Sequence, residues 1–555
     1  MSNFTTKQGA LFYCYTIPSE QVSKINAFLE ILEKSGVAKV IKEAAKLSDF
    51  GRPGFNPYLM FAAIIYGFAV GAPSLRELET SCRYDIRFMY IMNEIIPDHS
   101  TFSRFINTII RPNKDELFSL VVKAYFEHCH LDMEDCHLDG TKFEARPNKY
   151  KVIWKPTTFH RRLCNNARNL INELGLSNGM PAEEIYPSKV LAEKVEQASA
   201  LAKTIEEKDQ KVFNKKLESL THYLSKAVEY EEKERICGDN RNSYYKTDHD
   251  ATAMCLKEDY YSGLGSNMHA AYQMQSMVCH GFIVSYYVSQ DRTDLYTLIP
   301  SVERFHEMYG KYPKTLTADS GYGALKNYKY CQEKGIEAYI KYQAWTEESS
   351  GRNPAIYELN PDNTITCLGG KTGVVVDYVP NRHHKLKDAK FYRIECDSDC
   401  PFMPYCRSYM KEPKGEERIF EINQEYQTLR QEARDRLLSV KGIELRVNRS
   451  CQIEGVYGIE KFNMKYNRIR RIGLDRVTTE YMLTALGLNT RKILRFIDGK
   501  TDFKYWKAPD GLEPEKFKKP SAKRLANRVN KRRNRQPNEI AKRSYHYKFR
   551  AKHKN

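Results

Sequence analysis

Between residues 133 and 342 the chain alternates runs of strand length with amphipathic helical runs, and this alternation limits the possible folds more than any other feature. Cys136-His137-Leu138-Asp139-Gly140-Thr141-Lys142-Phe143 reads as a strand. Residues 270–275 and 282–288, rich in aromatic and β-branched side chains, read as two strands joined by a turn at His280-Gly281. Residues 295–309 are expected to be helical, 315–318 to be a short buried strand stopping at Asp319, 325–334 a helix and 336–342 a strand. Strands, a helix, a strand ending in an acid, a helix and a strand make an α/β pattern, a mixed sheet covered by helices.

At 555 residues the chain exceeds what one core fills, so several units are expected. Residues 1–131 read as an all-helical N-terminal domain. Its turn at Pro97-Asp98-His99-Ser100-Thr101, followed by a Ser or Thr helix cap, stands among Arg76, Arg83, Arg87 and Arg104. A helix-turn-helix reader of DNA and a set of solvated arginines are the two readings of that segment. Residues 132–496 form the α/β domain with two inserts. In the first, 156–237, Leu191, Val195, Ala198, Ala202 and Ile205 keep a 4,3 spacing, and Phe213, Leu217, Leu220, Leu224 and Ala227 do so out of phase with them. A helical hairpin or coiled coil fits. The second insert, 343–420, is loop-rich with short β patterns.

Residues 497–555 read as a basic C-terminal tail. From Ser521 onward there are 13 Lys or Arg against one acid, Glu539, in a chain of net charge +18, with almost no apolar periodicity. Such a tract suits a polyanion, gaining affinity by counterion release and losing it steeply with salt; a solubilising tail is the plainer reading. The longest apolar run, 59–70, is short for a bilayer span, and the N-terminus lacks the features of a secretion signal, so a cytoplasmic protein with no membrane partner is expected.

Reduced thiols are expected in that compartment, most of them, such as Cys14, Cys82 and Cys255, standing alone as small buried groups. Cys396, Cys400 and Cys406 cluster beside Pro401 and Pro404, with Cys367 upstream. Four thiolates suit a tetrahedral Zn²⁺ that would pin a segment too small to own a core, although irregular spacing leaves four unconnected thiols as the alternative.

Three acids stand where phosphodiester chemistry would want them, since two Mg²⁺ ions held by carboxylates neutralise the scissile phosphate and activate a nucleophile. Asp139 lies on a strand beside Gly140, and Asp319 ends a strand before Ser320-Gly321-Tyr322-Gly323, both at expected sheet edges. Glu454, in Gln452-Ile453-Glu454-Gly455-Val456, is the helical candidate. Lys461 lies seven residues on, nearly the same helix face, and Arg446 and Arg449 add positive charge. Glu460 and Asp250 compete for places in the set.

The strings HLDGTKFEARPNKY, LTADSGYG and RSCQIEGVYGIEK occur in this order. They resemble the three catalytic blocks of DDE transposases of bacterial insertion sequences, closest to the group numbered eleven-eighty-two, over roughly residues 50–500. Cys367-Leu368-Gly369-Gly370-Lys371 and the later cysteines fit the same resemblance. It implies an RNase H-like core in which Asp139, Asp319 and Glu454 hold two Mg²⁺ or Mn²⁺ ions, with Lys461 matching the motif lysine. It also implies metal-dependent cleavage at the element's ends and strand transfer, with double-stranded DNA (terminal inverted repeats and target) as partner and a homodimer or larger complex at work. DNA contacts are expected from Lys142, Arg446, Arg449 and Lys461, and from Arg524, Lys531, Arg532 and Arg533 in the tail. Val447 and Ser450 stand where the motif carries a tyrosine and an arginine, with Arg449 one position away. A nuclease that cuts without joining, and a transposase-derived DNA-binding protein without catalysis, are the competing functions.

Overall fold

The computed structural model describes residues 18–45, 55–71, 74–263, 267–377, 388–410, 415–464 and 466–533. Cys14 and the tail beyond Arg533 lie outside them. A six-stranded mixed sheet organises the molecule: β1 (Asp135–Glu144), β2 (Thr252–Met254), β3 (His269–Cys279), β4 (Phe282–Ser289), β5 (Thr315–Ala318) and β6 (Glu337–Ile340). β1 is central, antiparallel to β3 on one side and parallel to β5 on the other, with β6 parallel to β5 beyond. β2 and β4 share the outer edge of β3. The β3–β4 hairpin turns through His280 and Gly281, both at positive φ, the two-residue geometry that matches strand twist. β3 shows no inside-outside alternation, because nearly its whole length is buried on both faces.

The N-terminal helices pack directly on this sheet. Helix α1 (Pro57–Val70) is apolar all round and starts where Asn56 Oδ1 accepts from Tyr58 and Leu59 N–H. It lies against α2 (Leu474–Ile497), and a Cβ on Gly487 would come 2.5 Å from Phe68 Cβ, so only glycine permits that approach. One apolar cluster runs from Ile25 through the sheet to Phe503. The change of sequence texture at 131/132 is therefore a change of secondary structure within one continuous core. Among the described residues no single helix is long and apolar enough to cross a membrane.

The first insert carries the expected helix pair, Ser188–Leu201 and Glu207–Cys237, together with Thr157–Glu173 as a third member. Leu163, Ile171, Leu191 and Leu220 give these helices a core of their own. The second insert is a five-stranded antiparallel sheet, ordered along the chain from Tyr357–Leu359 to Glu417–Ile422. Directly after the last of these strands a helix starts at Gln424, capped by Asn423.

The basic tail departs from expectation. Residues 498–520 fold back over the body: Phe503 packs on Phe282, and Phe517 stacks edge-on against Trp345. Ala522–Arg533 is a helix docked on the short helix Met403–Cys406, with Leu525 and Val529 buried one turn apart. Two apolar residues at i and i+4 are the only periodicity that helix needs, too little to stand out among the charges.

Candidate functional site

Asp139 lies within the central strand, not at a sheet edge. Pairing of β1 with β5 ends at His137 and Thr317, so β1 runs on past the point where β5 stops and Asp319 follows. The two aspartates thus meet at the carboxyl end of a parallel strand pair, where open sheets present ligands. Asp319 Oδ1 accepts Gly321 N–H at 2.8 Å, capping the turn Ser320–Tyr322. Asp139 Oδ1 accepts Gly140 N–H at 2.9 Å, while Oδ2 meets Arg449 Nη2 at 3.1 Å. Burial pushes the Asp139 carboxyl up to about 6; Arg449 opposes this, and the charges of Asp319 and Asp294 add to it.

Arg449 ends helix α3 (Val440–Arg449), which starts at Ser439, whose side chain accepts Gly442 N–H. The helix continues through two wide π segments, Ser450–Glu454 and Ile459–Asn463, separated by Gly455–Gly458. Wide turns change the rotation per residue, so the seven-residue spacing from Glu454 to Lys461 does not give them common neighbours. Glu454 is exposed. Burial lowers the Lys341 ammonium, with Arg449 and Arg446 adding to this, whereas Asp319 and Glu454 counter it, so one lysine feels both acids. Lys461 faces β1, donating to the Lys142 carbonyl at 3.2 Å and covering the Phe143 ring. Its expected reach toward a phosphate is therefore corrected to a bond with strand backbone. Arg446 is also tied elsewhere, to Glu515 at 2.7 Å and the Leu437 carbonyl at 3.1 Å.

The two competing acids have other roles. Asp250 Oδ2 accepts Leu474 N–H at 2.8 Å at the start of α2. Glu460 is fully buried with neither oxygen partnered, and burial pushes its carboxyl up to about 8. In the helical region the cap at residue 99 is Asp98, which accepts Thr101 N–H at 2.6 Å, rather than Ser or Thr. Arg87 is bound to Asp85 and Arg83 to Glu79.

One acid at the site escapes sequence reasoning. Asp294, in a loop after β4, accepts Gln275 Nε2 at 3.0 Å and a second amide from Gln273. It looks like any loop acid in Asp291-Arg292-Thr293-Asp294, and only the fold brings it to Asp319. Lys142, on the same stretch of β1, feels Asp294. Gly140 and Lys142 stand opposite Gln275 and Gln273 in the β1–β3 register.

The four cysteines come together. Cys367, Cys396, Cys400 and Cys406 line one cavity of about 170 Å³ in the second insert, with Arg418 Nη1 2.6 Å from Cys406 Sγ. Cys400 and Cys367 sulfurs both flank Gly369. Even so, among the described residues no three His, Cys, Asp or Glu donors already stand so as to hold a metal ion, here or at the aspartates. Arg524, Lys531 and Arg532 are exposed on the docked C-terminal helix, which Arg533 ends.

Two family models match the chain: a transposase DDE domain over residues 366–494, which takes in Glu454 and Lys461, and a transposase domain, DUF772, over residues 15–108. Both matches are to transposase families, and together they support a DDE transposase of an insertion sequence. These families indicate a DNA transposase, and DDE transposases generally use divalent metal ions. No curated protein and no solved structure matches it.

Proposed function

We propose that this transposase cleaves DNA at the ends of its element and joins the freed 3′ ends to target DNA, using Asp139, Asp319 and Glu454 on an RNase H-like sheet. Within the family, its three acid blocks are closest to the eleven-eighty-two group. What carries this reading is the meeting of Asp139 and Asp319 at the end of paired parallel strands, with the Glu454-bearing helix passing over them through Arg449.

The donor chemistry fits a divalent cation such as Mg²⁺ or Mn²⁺. Burial raises the Asp139 carboxyl to about 6 and the nearby charges of Asp319 and Asp294 add to it, so three sets of hard oxygens stand together, and the Gln273 carbonyl oxygen is buried without a partner beside Asp294. Such ions, when bound, neutralise the scissile phosphate and activate a water or a 3′-hydroxyl. Arg449 pairs with Asp139, and a cation held by that carboxylate would share the oxygen with it. Tyr457 fixes the strand by donating to the Asp139 carbonyl at 2.7 Å. Lys142 and Lys341 supply positive charge for the DNA backbone at the same site, and the C-terminal helix with Arg524, Lys531, Arg532 and Arg533 supplies more on the second insert. Terminal repeats and target would be double-stranded, and a homodimer or larger complex would pair the ends. The thiols of Cys367, Cys396, Cys400 and Cys406 would hold a structural Zn²⁺ that pins the second insert.

The test is metal-dependent nicking and strand transfer on DNA carrying the element's ends. Asp139→Asn and Asp319→Asn should each still shift that DNA in a gel while failing to cut it. Cleavage surviving in both variants would overturn the assignment, and cutting without joining would make the protein a nuclease.

A further inference from the structure

Both acid blocks place a glycine beside the aspartate, and the structure gives one reason for both. A Cβ on Gly140 would stand 2.6 Å from Asp294 Oδ1, and one on Gly321 would stand 3.0 Å from Asp294 Oδ2 and 3.1 Å from Asp319 Oδ1. Real Cβ atoms essentially never come closer than 3.0 Å to a heavy atom, and contacts between 3.0 and 3.4 Å are unusually tight. A Cβ on Gly140 would also stand 2.3 Å from Gln275 Nε2, so the missing side chains make room for the Asp294 carboxylate together with the Gln275 amide that holds it, between the two blocks. Because successive strand residues point to opposite faces, the bare Gly140 opens the side of β1 that the Asp139 side chain leaves free.

That carboxylate is held in a set direction. Its Oδ1 accepts amide hydrogens from Gln273 and Gln275, neighbours on one face of β3. Both glutamines are buried, and Gln275 is itself fixed by a hydrogen bond from the buried Tyr322 hydroxyl. With Oδ1 engaged, Oδ2 is the oxygen beside Gly321 and Asp319. A loop acid needs no such scaffold merely to cap a turn. Beside it lies a second, independent sign of a ligand: Gln273, 2% exposed, donates its amide nitrogen to Asp294 and leaves its oxygen buried with nothing to accept from. An orphaned acceptor of that kind costs free energy unless a donor or a cation completes it.

We propose that Asp294 is a further metal-holding carboxylate of the active centre, standing with Asp319, and that Gln273 and Gln275 are the residues that position it. This rests on the metal-dependent reading above, and extends the acid set from three to four. Lys142, across the β1–β3 register from Gln273, is a cation that feels Asp294 and can balance its charge.

The test is Mn²⁺ binding to the full-length, DNA-free protein, followed by calorimetry and by electron paramagnetic resonance, alongside the Mn²⁺ dependence of nicking. Asp294→Asn should weaken Mn²⁺ binding by about ten- to a hundredfold, raise the Mn²⁺ needed for half-maximal nicking to match, and leave DNA binding unchanged. Gly321→Ala, which keeps every acid and pushes a methyl between Asp294 and Asp319, should weaken Mn²⁺ binding in the same direction and serves if Asp294→Asn misfolds. A folded Asp294→Asn or Gly321→Ala protein with wild-type Mn²⁺ binding overturns the proposal. Asp319→Asn separates the two levels. If it abolishes Mn²⁺ binding while Asp294→Asn does not weaken it, only the fourth acid falls; if neither changes it, the metal reading itself falls.

Discussion

The central sheet and the sheet of the second insert both carry chemistry-bearing side chains, yet they are built to opposite plans. The central sheet belongs to an apolar cluster that continues into the N-terminal helices and α2, and several polar groups are inserted into that mass with specific partners. Tyr125 hydroxyl pairs with Thr490 at 2.7 Å, Ser276 with Tyr481 at 2.6 Å, and Asn489 brackets Ile283 through both its N–H and its C=O. The insert sheet, by contrast, has a small cluster of Ile365, Tyr392, Ile394 and Ile422, and sets four thiols around a cavity beside it. A deep core can hold a carboxylate against repulsion by rigidity alone. A thin one must be cross-linked or remain soft.

The strongest way to break this contrast is in the central sheet. Asp139→Asn should lower cleavage on the order of 10⁴-fold with little change in melting temperature, because the site and not the fold loses a charge; a nicking assay and a thermal melt on one preparation decide it. Next in size is Glu460, a carboxyl that the deep core buries with neither oxygen partnered. Its pKa of about 8 lies above the ordinary 4.5, so its stabilising effect is complete below about 4.5 and is lost as pH rises through 8. Glu460→Gln should match the wild type near pH 5 and exceed it at pH 8.5 by at most about 5 kcal/mol, measured by denaturant melts at the two pH values. Equal stability at both would mean that the buried acid has a partner.

In the insert, the effect should be local. Purified protein should hold about one zinc per chain, and Cys367→Ser with Cys400→Ser should release it and expose residues 357–422 to protease, while the central sheet stays resistant. Elemental analysis and limited proteolysis follow both, and zinc-free protein with a protected insert would remove the cross-link from the comparison. The smallest effect belongs to the basic C-terminus. Removing residues 521–555 should weaken binding to all DNA sequences alike and flatten the dependence on log salt by about 0.9 for each phosphate that is no longer neutralised, as fluorescence anisotropy at several salt concentrations would record.

Much of this molecule is legible in the sequence. The hairpin at His280-Gly281, the strand ending at Asp319 and the buried helix Pro57–Val70 all follow from local rules of periodicity and turn chemistry, which act over a few residues. So does the family, since HLDG, ADSG and the glutamate block are contiguous strings. Local rules misplace Lys461 for the same reason: an ideal helical spacing does not hold across two π segments that tertiary packing imposes. Arg446 and the C-terminal helix escape such rules because their partners, Glu515 and the short helix Met403–Cys406, are far away in the chain.

The sequence alone determined which residues are acids, which are glycines and in what order the blocks come, because those facts live in neighbours along the chain. Only the tertiary structure decided that Gly140 and Gly321 make room for Asp294, and that Arg449 rather than Arg446 reaches Asp139. Most of those pairings join residues more than a hundred positions apart, and no local preference of the backbone encodes such a distance.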